Sequence, residues 1–123
     1  MSLPILPNFL IGGATSAGTS FLFDLLIQHP DIYLPSDMCS EPHFFAISER
    51  YNKGIDWYQK IWFSEYKNQR AIGERSSAYL YFPETAPRLK IHLPLIKLIF
   101  ILRDPVDRAF AQYRYRVFRG TES

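Results

Sequence analysis

The sequence predicts an α/β fold of three layers, in which a parallel sheet is flanked by helices. Three apolar segments short enough to be strands alternate with segments of helical apolar spacing, and these strands are predicted at 9–11, 71–75 and 96–102. Strands separated by helices form parallel sheets through right-handed crossovers. Polar residues follow each predicted strand, and open parallel sheets bind ligands at that edge.

Length and composition describe one globular domain. The chain has 123 residues, of which 47% are hydrophobic and 21% charged, and such a length can bury roughly two thirds of the unfolded surface. Residues 4–123 are expected to form this domain, and residues 1–3 could be an expression scar. The single cysteine, Cys39, excludes an internal disulfide and favours a reducing compartment. Without a long apolar run or a signal peptide, we expect a cytoplasmic protein with no membrane span.

Helix signals separate the predicted strands. Thr19 or Ser20 can cap a first helix, and prolines within 31–44 indicate an ordered loop after it. Further helices are predicted at 55–63 and 84–92, and Asp104 with Pro105 begins the last one. The third strand is expected to be buried on both faces. The apolar residues expected to face the core are Phe21, Leu22, Leu25 and Leu26 on the first helix and Val106, Phe110, Tyr113 and Val117 on the last.

The loop after the first strand has the spacing of a phosphate-binding, P-loop-like turn. Residues 13–20 read Gly-Ala-Thr-Ser-Ala-Gly-Thr-Ser, with Thr19 at the position of the P-loop lysine. Backbone N–H groups, the helix N-terminus and the hydroxyls of Ser16, Thr19 and Ser20 still offer donors to an anion. A plain strand-to-helix turn is the alternative. Arg103, at the end of a neighbouring strand, favours the anion site.

Basic residues are concentrated in the last third of the chain. Residues 88–119 contain eight lysines and arginines against two acids. Most such runs form a solvated helix face, and the more specific alternative is a binding site for an anion. Because no nucleic-acid-binding motif accompanies them, no nucleic-acid partner is expected.

Four segments, in the same order and spacing, resemble the PAPS-dependent sulfotransferases, in particular the heparan sulfate type and its bacterial relatives. Residues 14–32 are similar to the 5'-phosphosulfate loop and a helix that ends in His-Pro. The sequence EPHFF at 41–45, with 53–62, resembles the segment of the catalytic glutamate. Residues 73–90 resemble the Glu-Lys-x-x-x-Tyr segment, and 102–115 resemble the 3'-phosphate motif. EPHFF and RDPxxR in register are the most specific part.

The resemblance implies transfer of a sulfuryl group from PAPS, 3'-phosphoadenosine 5'-phosphosulfate, to a hydroxyl or amine acceptor. Glu41 would take the acceptor's proton, and His43 would assist it or bind the acceptor. The acceptor would be a carbohydrate, a lipid or a small molecule, and no metal is implied. The residues implied to hold the donor are Ser16, Ala17, Gly18, Thr19, Ser20 and Arg103.

Two positions depart from the pattern of that family. Its loop lysine falls on Ser16, and a serine that grips the 3'-phosphate falls on Ala111. Arg75, where relatives often have lysine, is our candidate for the catalytic positive charge. The alternatives are a slow enzyme and a binding module without catalysis. A P-loop nucleotide kinase is disfavoured, because Thr19 and Arg103 replace the lysine and the magnesium-binding acid that it needs.

The chain ends soon after the predicted last helix, whereas domains of that family continue with further helices and a strand. We therefore expect a truncated domain. One uncovered face or edge of its sheet would favour self-association as a homo-oligomer.

Overall fold

The computed structural model describes residues 5–36 and 41–120. Four parallel strands form one sheet in the order β2-β3-β1-β4. The strands are β1 (Phe9–Gly13), β2 (Ile32–Tyr33), β3 (Ala71–Arg75) and β4 (Lys97–Phe100). The helices are α1 (Thr19–Leu26), α2 (Ser48–Tyr51), α3 (Ile55–Trp62), α4 (Thr85–His92) and α5 (Pro105–Arg119).

β1 lies inside the sheet, and its side chains alternate between two apolar clusters. Phe9 and Ile11 pack with Leu22 of α1 on one face. Leu10 packs on the other face in the cluster that contains Tyr58 of α3 and also residues of α4. All five residues of β1 are buried, because helices cover the sheet on both sides of this strand. The predicted α/β fold with a parallel sheet is confirmed.

Two helices, α3 and α4, begin and end within one residue of their predicted bounds, and α5 begins at the predicted residue. The predicted start of α5 is confirmed in detail, since Asp104 Oδ1 accepts hydrogen bonds from the backbone N–H groups of Val106 at 3.0 Å and Asp107 at 3.2 Å. Pro105 is the first helical residue, where its missing N–H costs no hydrogen bond. Within 5–36 and 41–120, no helix combines the length and apolar character that crossing a bilayer requires.

The predicted cap of α1 is wrong. The N-cap is Gly18, with a φ of 101°, rather than Thr19 or Ser20, and no side chain caps the helix. Glycine adopts this left-handed conformation without the steric cost of a Cβ atom. The two hydroxyls are therefore left for contacts other than capping.

The predicted buried face of α1 is correct only in part. Leu22 and Leu26 pack against the core, together with Phe23. Phe21 and Leu25 are 70% and 52% exposed. The helix is therefore rotated so that Phe23 replaces them against the sheet.

The prediction that β4 is buried on both faces is wrong. All four of its residues are exposed, because β4 lies at the edge of the sheet and the described part of the chain adds no strand beyond it. The apolar stripe of α5 is exposed as well, and no residue of that helix is buried. Its members are Val106, Phe110, Tyr113 and Val117.

Two short elements lie where no helix or strand was predicted. β2 falls in the stretch that we expected to be a loop, and its two residues pair with Ala71 and Ile72 of β3. α2 has four residues. Elements this short carry too few side chains for a periodic signal. The rest of the predicted loop includes residues 37–40, and these lie outside the described residues, as does the prediction based on Cys39.

Gly73 provides a test of how tightly β1 and β3 pack. It pairs with Phe9, and a Cβ atom at this position would lie 2.2 Å from Cζ of the Phe9 ring. We expect Gly73→Ala to lower the free energy of unfolding by about 1–3 kcal/mol, measured by urea denaturation. In a Phe9→Leu background the same change should cost less than about 1 kcal/mol. An equal cost in both backgrounds would contradict the contact.

Candidate active site

The segments that follow β1, β3 and β4 meet at one edge of the sheet. Nη1 of Arg103, which follows β4, donates to the carbonyl oxygen of Ser16 at 3.1 Å. Nη1 of Arg75, at the end of β3, donates to Oγ of Ser20 at 2.5 Å. The sequence predicts that these three segments face one crevice, and the contacts confirm it.

The loop between β1 and α1 presents backbone donors. The start of the loop is held by a backbone hydrogen bond that extends the pairing of β1 with β4, in which the Ala14 N–H donates to the Ile101 carbonyl at 2.8 Å. Ser16 has a φ of 60°, in the left-handed region. Because no side chain caps α1 after Gly18, the N–H groups of its first turn and the positive end of its dipole are open to an anion.

The Glu41 side chain receives its two hydrogen bonds from one residue, Ser77. Its Oε1 accepts a hydrogen bond from the Ser77 backbone N–H at 2.6 Å, and its Oε2 accepts one from Ser77 Oγ at 3.2 Å. Oε1 lies 3.9 Å from Nε of Arg75, and Oε2 lies 3.9 Å from Nε2 of His43. The side chain is 23% exposed, so a solvent-facing reactant can reach a carboxylate whose direction is fixed.

The backbone around Glu41 is also held. Nη1 of Arg50 donates to the carbonyl oxygens of Glu41 at 2.9 Å and of Pro42 at 2.5 Å. The backbone N–H of His43 donates to Ser76 Oγ at 2.8 Å. These bonds come from α2 and from the turn after β3, so the segment is positioned from two sides.

His43 is a largely buried imidazole beside the carboxylate. Burial lowers its pKa, and the nearby Glu41 charge opposes that effect, so the ring is mainly neutral at pH 7. Its Nδ1 is buried and has no hydrogen-bond partner among the residues that the structure describes. Its φ of 48° is rare for a residue with a side chain. Strained residues of this kind, including Ser16, concentrate at functional sites.

Arg75 brings a fixed positive charge between the loop and Glu41. Its guanidinium lies over the ring of Phe23, 4.9 Å from the centroid, while Nη1 contacts Ser20. Nε is buried and forms no hydrogen bond within the described chain. The side chain is thus held in place by α1 and keeps one donor for another group.

The site has a buried carboxyl that was not among the predicted site residues, Glu74. Its side chain accepts hydrogen bonds from the hydroxyls of Tyr58 at 2.7 Å, Ser76 at 2.7 Å and Tyr79 at 3.2 Å. Burial raises its pKa to about 7, against the opposing effect of these bonds, and the Glu41 charge adds to the rise. Glu74 and Tyr79 are the glutamate and tyrosine of the Glu-Lys-x-x-x-Tyr resemblance, so a signal was present. Ser77 follows the second predicted strand at the same edge, but the sequence does not indicate its two bonds to Glu41, one of which comes from its backbone.

The residues predicted for the site lie in this one region. Ala17, whose N–H donates to the Ala14 carbonyl at 3.2 Å, lies in the turn before α1. Thr19 is 5% exposed. The full set placed at this edge is Ser16, Ala17, Gly18, Thr19, Ser20, Glu41, His43, Arg75 and Arg103.

The model of the family described as "Sulfotransferase domain" matches residues 6–118. The chain belongs to the sulfotransferase domain family. The predicted family resemblance is confirmed, and the edge described above is its candidate active site.

Three relatives give the extent of this sulfotransferase similarity. The chain is 39% identical to a membrane-associated sulfotransferase of Dictyostelium discoideum, over 91% of this chain and 23% of that protein. It is 38% identical to human heparan sulfate glucosamine 3-O-sulfotransferase 5, over 95% of this chain and 32% of that protein. The structure of a sulfotransferase from Alicyclobacillus acidocaldarius matches with a TM-score of 0.85 at 38% identity, over 97% of this chain and 53% of that one. The chain thus spans a quarter to a third of these two curated relatives' length.

The raised pKa of Glu74 predicts a pH dependence of stability. With a pKa of about 7 in the folded state and an ordinary value of 4.5, the folded state retains the proton between these pH values and the unfolded state loses it. The stability from the protonated group is therefore lost as pH rises. Relative to Glu74→Gln, the wild type should lose roughly 2–3 kcal/mol of unfolding free energy between about pH 5 and pH 8, by urea denaturation. A difference independent of pH would contradict the buried titration.

Proposed function

We propose that this site binds PAPS and transfers its sulfuryl group to a hydroxyl or amine acceptor. One observation carries the proposal: the Glu41 carboxylate, oriented by Ser77, lies beside the Arg75 guanidinium, which itself contacts Ser20 in the first turn of α1, directly after the loop. A base, a positive charge and a phosphate cradle are thus adjacent, as group transfer between oxygens requires. The family of the chain supports the same reaction.

The residues present fit a phosphosulfate donor. The first turn of α1 has open N–H groups, and Nε of Arg75 is a buried donor without a hydrogen-bond partner among residues 5–36 and 41–120. Arg103 can offer its remaining guanidinium donors to the 3'-phosphate in a forked contact. When bound, PAPS supplies the sulfuryl group and a phosphate leaving group. The residues proposed to hold it are Ser16, Ala17, Gly18, Thr19, Ser20 and Arg103.

Glu41 is the proposed general base. As the acceptor oxygen bonds to sulfur and the bond from sulfur to the phosphate oxygen breaks, the carboxylate accepts the proton of the acceptor. The two bonds from Ser77 hold it in the orientation for that transfer. His43 is mainly neutral at pH 7, so its ring can accept or donate a hydrogen bond to the acceptor without adding charge.

Arg75 is the proposed source of the charge that a loop lysine would supply. Ser16 has a neutral side chain, whereas Arg75 reaches the start of α1 at Ser20. A fixed guanidinium there stabilises negative charge as it develops on the leaving oxygen. The competing candidate is a PAPS-binding module without catalysis, and the replacement of lysine by Ser16 and of serine by Ala111 favours it.

The class of acceptor, the cellular location and the oligomeric state are further proposals. A relative named for heparan sulfate glucosamine favours a carbohydrate over a lipid or a small molecule. A cytoplasmic location stays a prediction, and the Dictyostelium relative is named as membrane-associated. Self-association stays a prediction too, with the exposed apolar side chains of β4 and α5 as the surface in question.

The binding half of the proposal is tested with adenosine 3',5'-bisphosphate, the product that PAPS leaves behind. Isothermal titration calorimetry on the full chain should detect binding in the micromolar to millimolar range. Arg103→Ala should weaken it at least about tenfold, because a charge-assisted phosphate contact contributes about 1.5–3 kcal/mol. Arg114→Ala removes an exposed cation of α5 and serves as the control. No binding by a folded chain, or equal loss in both variants, would contradict the proposed donor site.

The catalytic half is tested by release of the bisphosphate from PAPS with heparan sulfate as acceptor. Glu41→Gln should lower the rate by about 10²–10⁴ while leaving bisphosphate affinity unchanged. Arg75→Gln should lower it by about 10²–10³. Adding Ser16→Lys to Arg75→Gln should restore part of the loss, since the ammonium replaces the missing charge. A wild type that binds the bisphosphate but shows no turnover with any acceptor class would favour the binding module.

A further inference from the structure

A buried hydrogen-bond network joins Glu74 to the segment that carries Glu41 and His43. Oε1 of Glu74 accepts from Ser76 Oγ at 2.7 Å, and Ser76 Oγ accepts from the His43 N–H at 2.8 Å. Oε2 accepts from the Tyr79 hydroxyl at 3.2 Å, and that hydroxyl accepts from the Phe45 N–H at 3.4 Å. Two hydroxyls therefore connect one carboxylate to two backbone amides.

The direction of every bond in this network depends on the charge of Glu74. An ionised carboxylate only accepts, so each hydroxyl must donate to it and present its lone pairs to an amide. The Tyr58 hydroxyl of α3 donates to Oε2 as well, at 2.7 Å. Glu74, Ser76 and Tyr58 are 0% exposed and Tyr79 is 5% exposed, so water cannot replace a lost partner cheaply.

We propose that Glu74 is a positioning residue: in its ionised form it fixes the amides of His43 and Phe45 through Ser76 and Tyr79, and thereby orients Glu41. The network itself does not depend on the proposed function, but its catalytic consequence rests on that function. Among residues 5–36 and 41–120, the hydrogen bonds of the Glu74 side chain are with Tyr58, Ser76 and Tyr79, and none is with the loop or with Arg103.

Protonation would reverse the network near neutral pH. A protonated Glu74 must donate one bond, which leaves a hydroxyl hydrogen without an acceptor in a buried place. Burial raises the pKa of the carboxyl to about 7. The titratable groups that face it are Tyr58 from α3, Tyr79 from the turn after β3 and Glu41 from the neighbouring segment. Burial raises the pKa of both tyrosines well above 10, so they remain donors across this range.

The test is a pH titration of the full chain by ¹H–¹⁵N correlation NMR between about pH 5 and pH 8.5. In the wild type, the amide protons of His43 and Phe45 should shift with an inflection near pH 7. The inflection should disappear in Glu74→Gln and remain in Glu65→Gln, which removes an exposed carboxylate. Titration of the His43 ring itself falls at lower pH and should persist in both variants. Amides that titrate alike in the wild type and in Glu74→Gln would overturn the proposal.

Two further variants separate the branches and replace Glu74→Gln if it does not fold. Ser76→Ala should remove the inflection at the His43 amide and keep it at the Phe45 amide. Tyr79→Phe should do the reverse. Loss of neither inflection, or of both in each variant, would also overturn the proposal, because a general structural disturbance does not select one amide.

Kinetics test the consequence for the reaction. Glu74→Gln should lower kcat about 10–100-fold through misplacement of Glu41, while the KM for PAPS stays within about twofold, because Glu74 does not contact the donor loop. A change in KM alone would contradict the positioning role. A wild type without turnover would contradict the proposed function only, since the amide titrations decide the network independently.

Discussion

The parallel pairing of β1 with both β3 and β4 is the constraint on which the site depends. Its register places Leu10 opposite Glu74 and Ile11 opposite Arg75. Successive side chains of a strand point to opposite faces, so Glu74 shares the face of α3 and α4, and Arg75 shares the face of α1. A shift of the β1–β3 register by one residue would exchange the faces on which Glu74 and Arg75 lie. The fixed charge would then lie in the core, and the buried carboxyl would lie against the loop.

Residues on the two faces of β3 thus have different roles in the site. On the α1 side, Arg75 contacts Ser20 in the first turn of α1, and its guanidinium lies near the Glu41 carboxylate. On the α3 side, Glu74 holds the backbone next to Glu41 through hydroxyls. Burial of the Glu74 carboxyl disfavours its charged form, and its pKa is raised for that reason. Three hydroxyl donors offset part of this effect and leave a segment with a strained His43 in one defined conformation.

The features that the sequence predicted correctly are those that depend on residues close together in the chain. Arg75 and Arg103 were placed beside the loop because the carboxyl ends of parallel strands meet at one edge of the sheet. The Asp104 cap was predicted because it depends only on Asp104 and the residues that follow it. An uncovered face or edge of the sheet was predicted, but not that β4 would be the exposed strand, because an apolar strand has the same sequence pattern at the edge of a sheet as at its centre. Ser77 was placed at the same edge as Arg75 by this meeting of strand ends, but its bond to Glu41 could not be predicted, because a backbone N–H carries no sequence signal. The resemblance matched Glu74, but its buried position could not be predicted, because a buried carboxyl is recognised from its partners and one of them, Tyr58, lies on α3.

The most direct test of the central claim is a crystal structure of the full chain with adenosine 3',5'-bisphosphate. We predict the 5'-phosphate on the N–H groups at residues 16–20 and the 3'-phosphate on Arg103, with the open side of the 5'-phosphate facing Arg75 and Glu41. Bisphosphate bound elsewhere, for example in the apolar groove between β4 and α4 that is lined by Leu89, Leu98 and Phe100, would contradict the account.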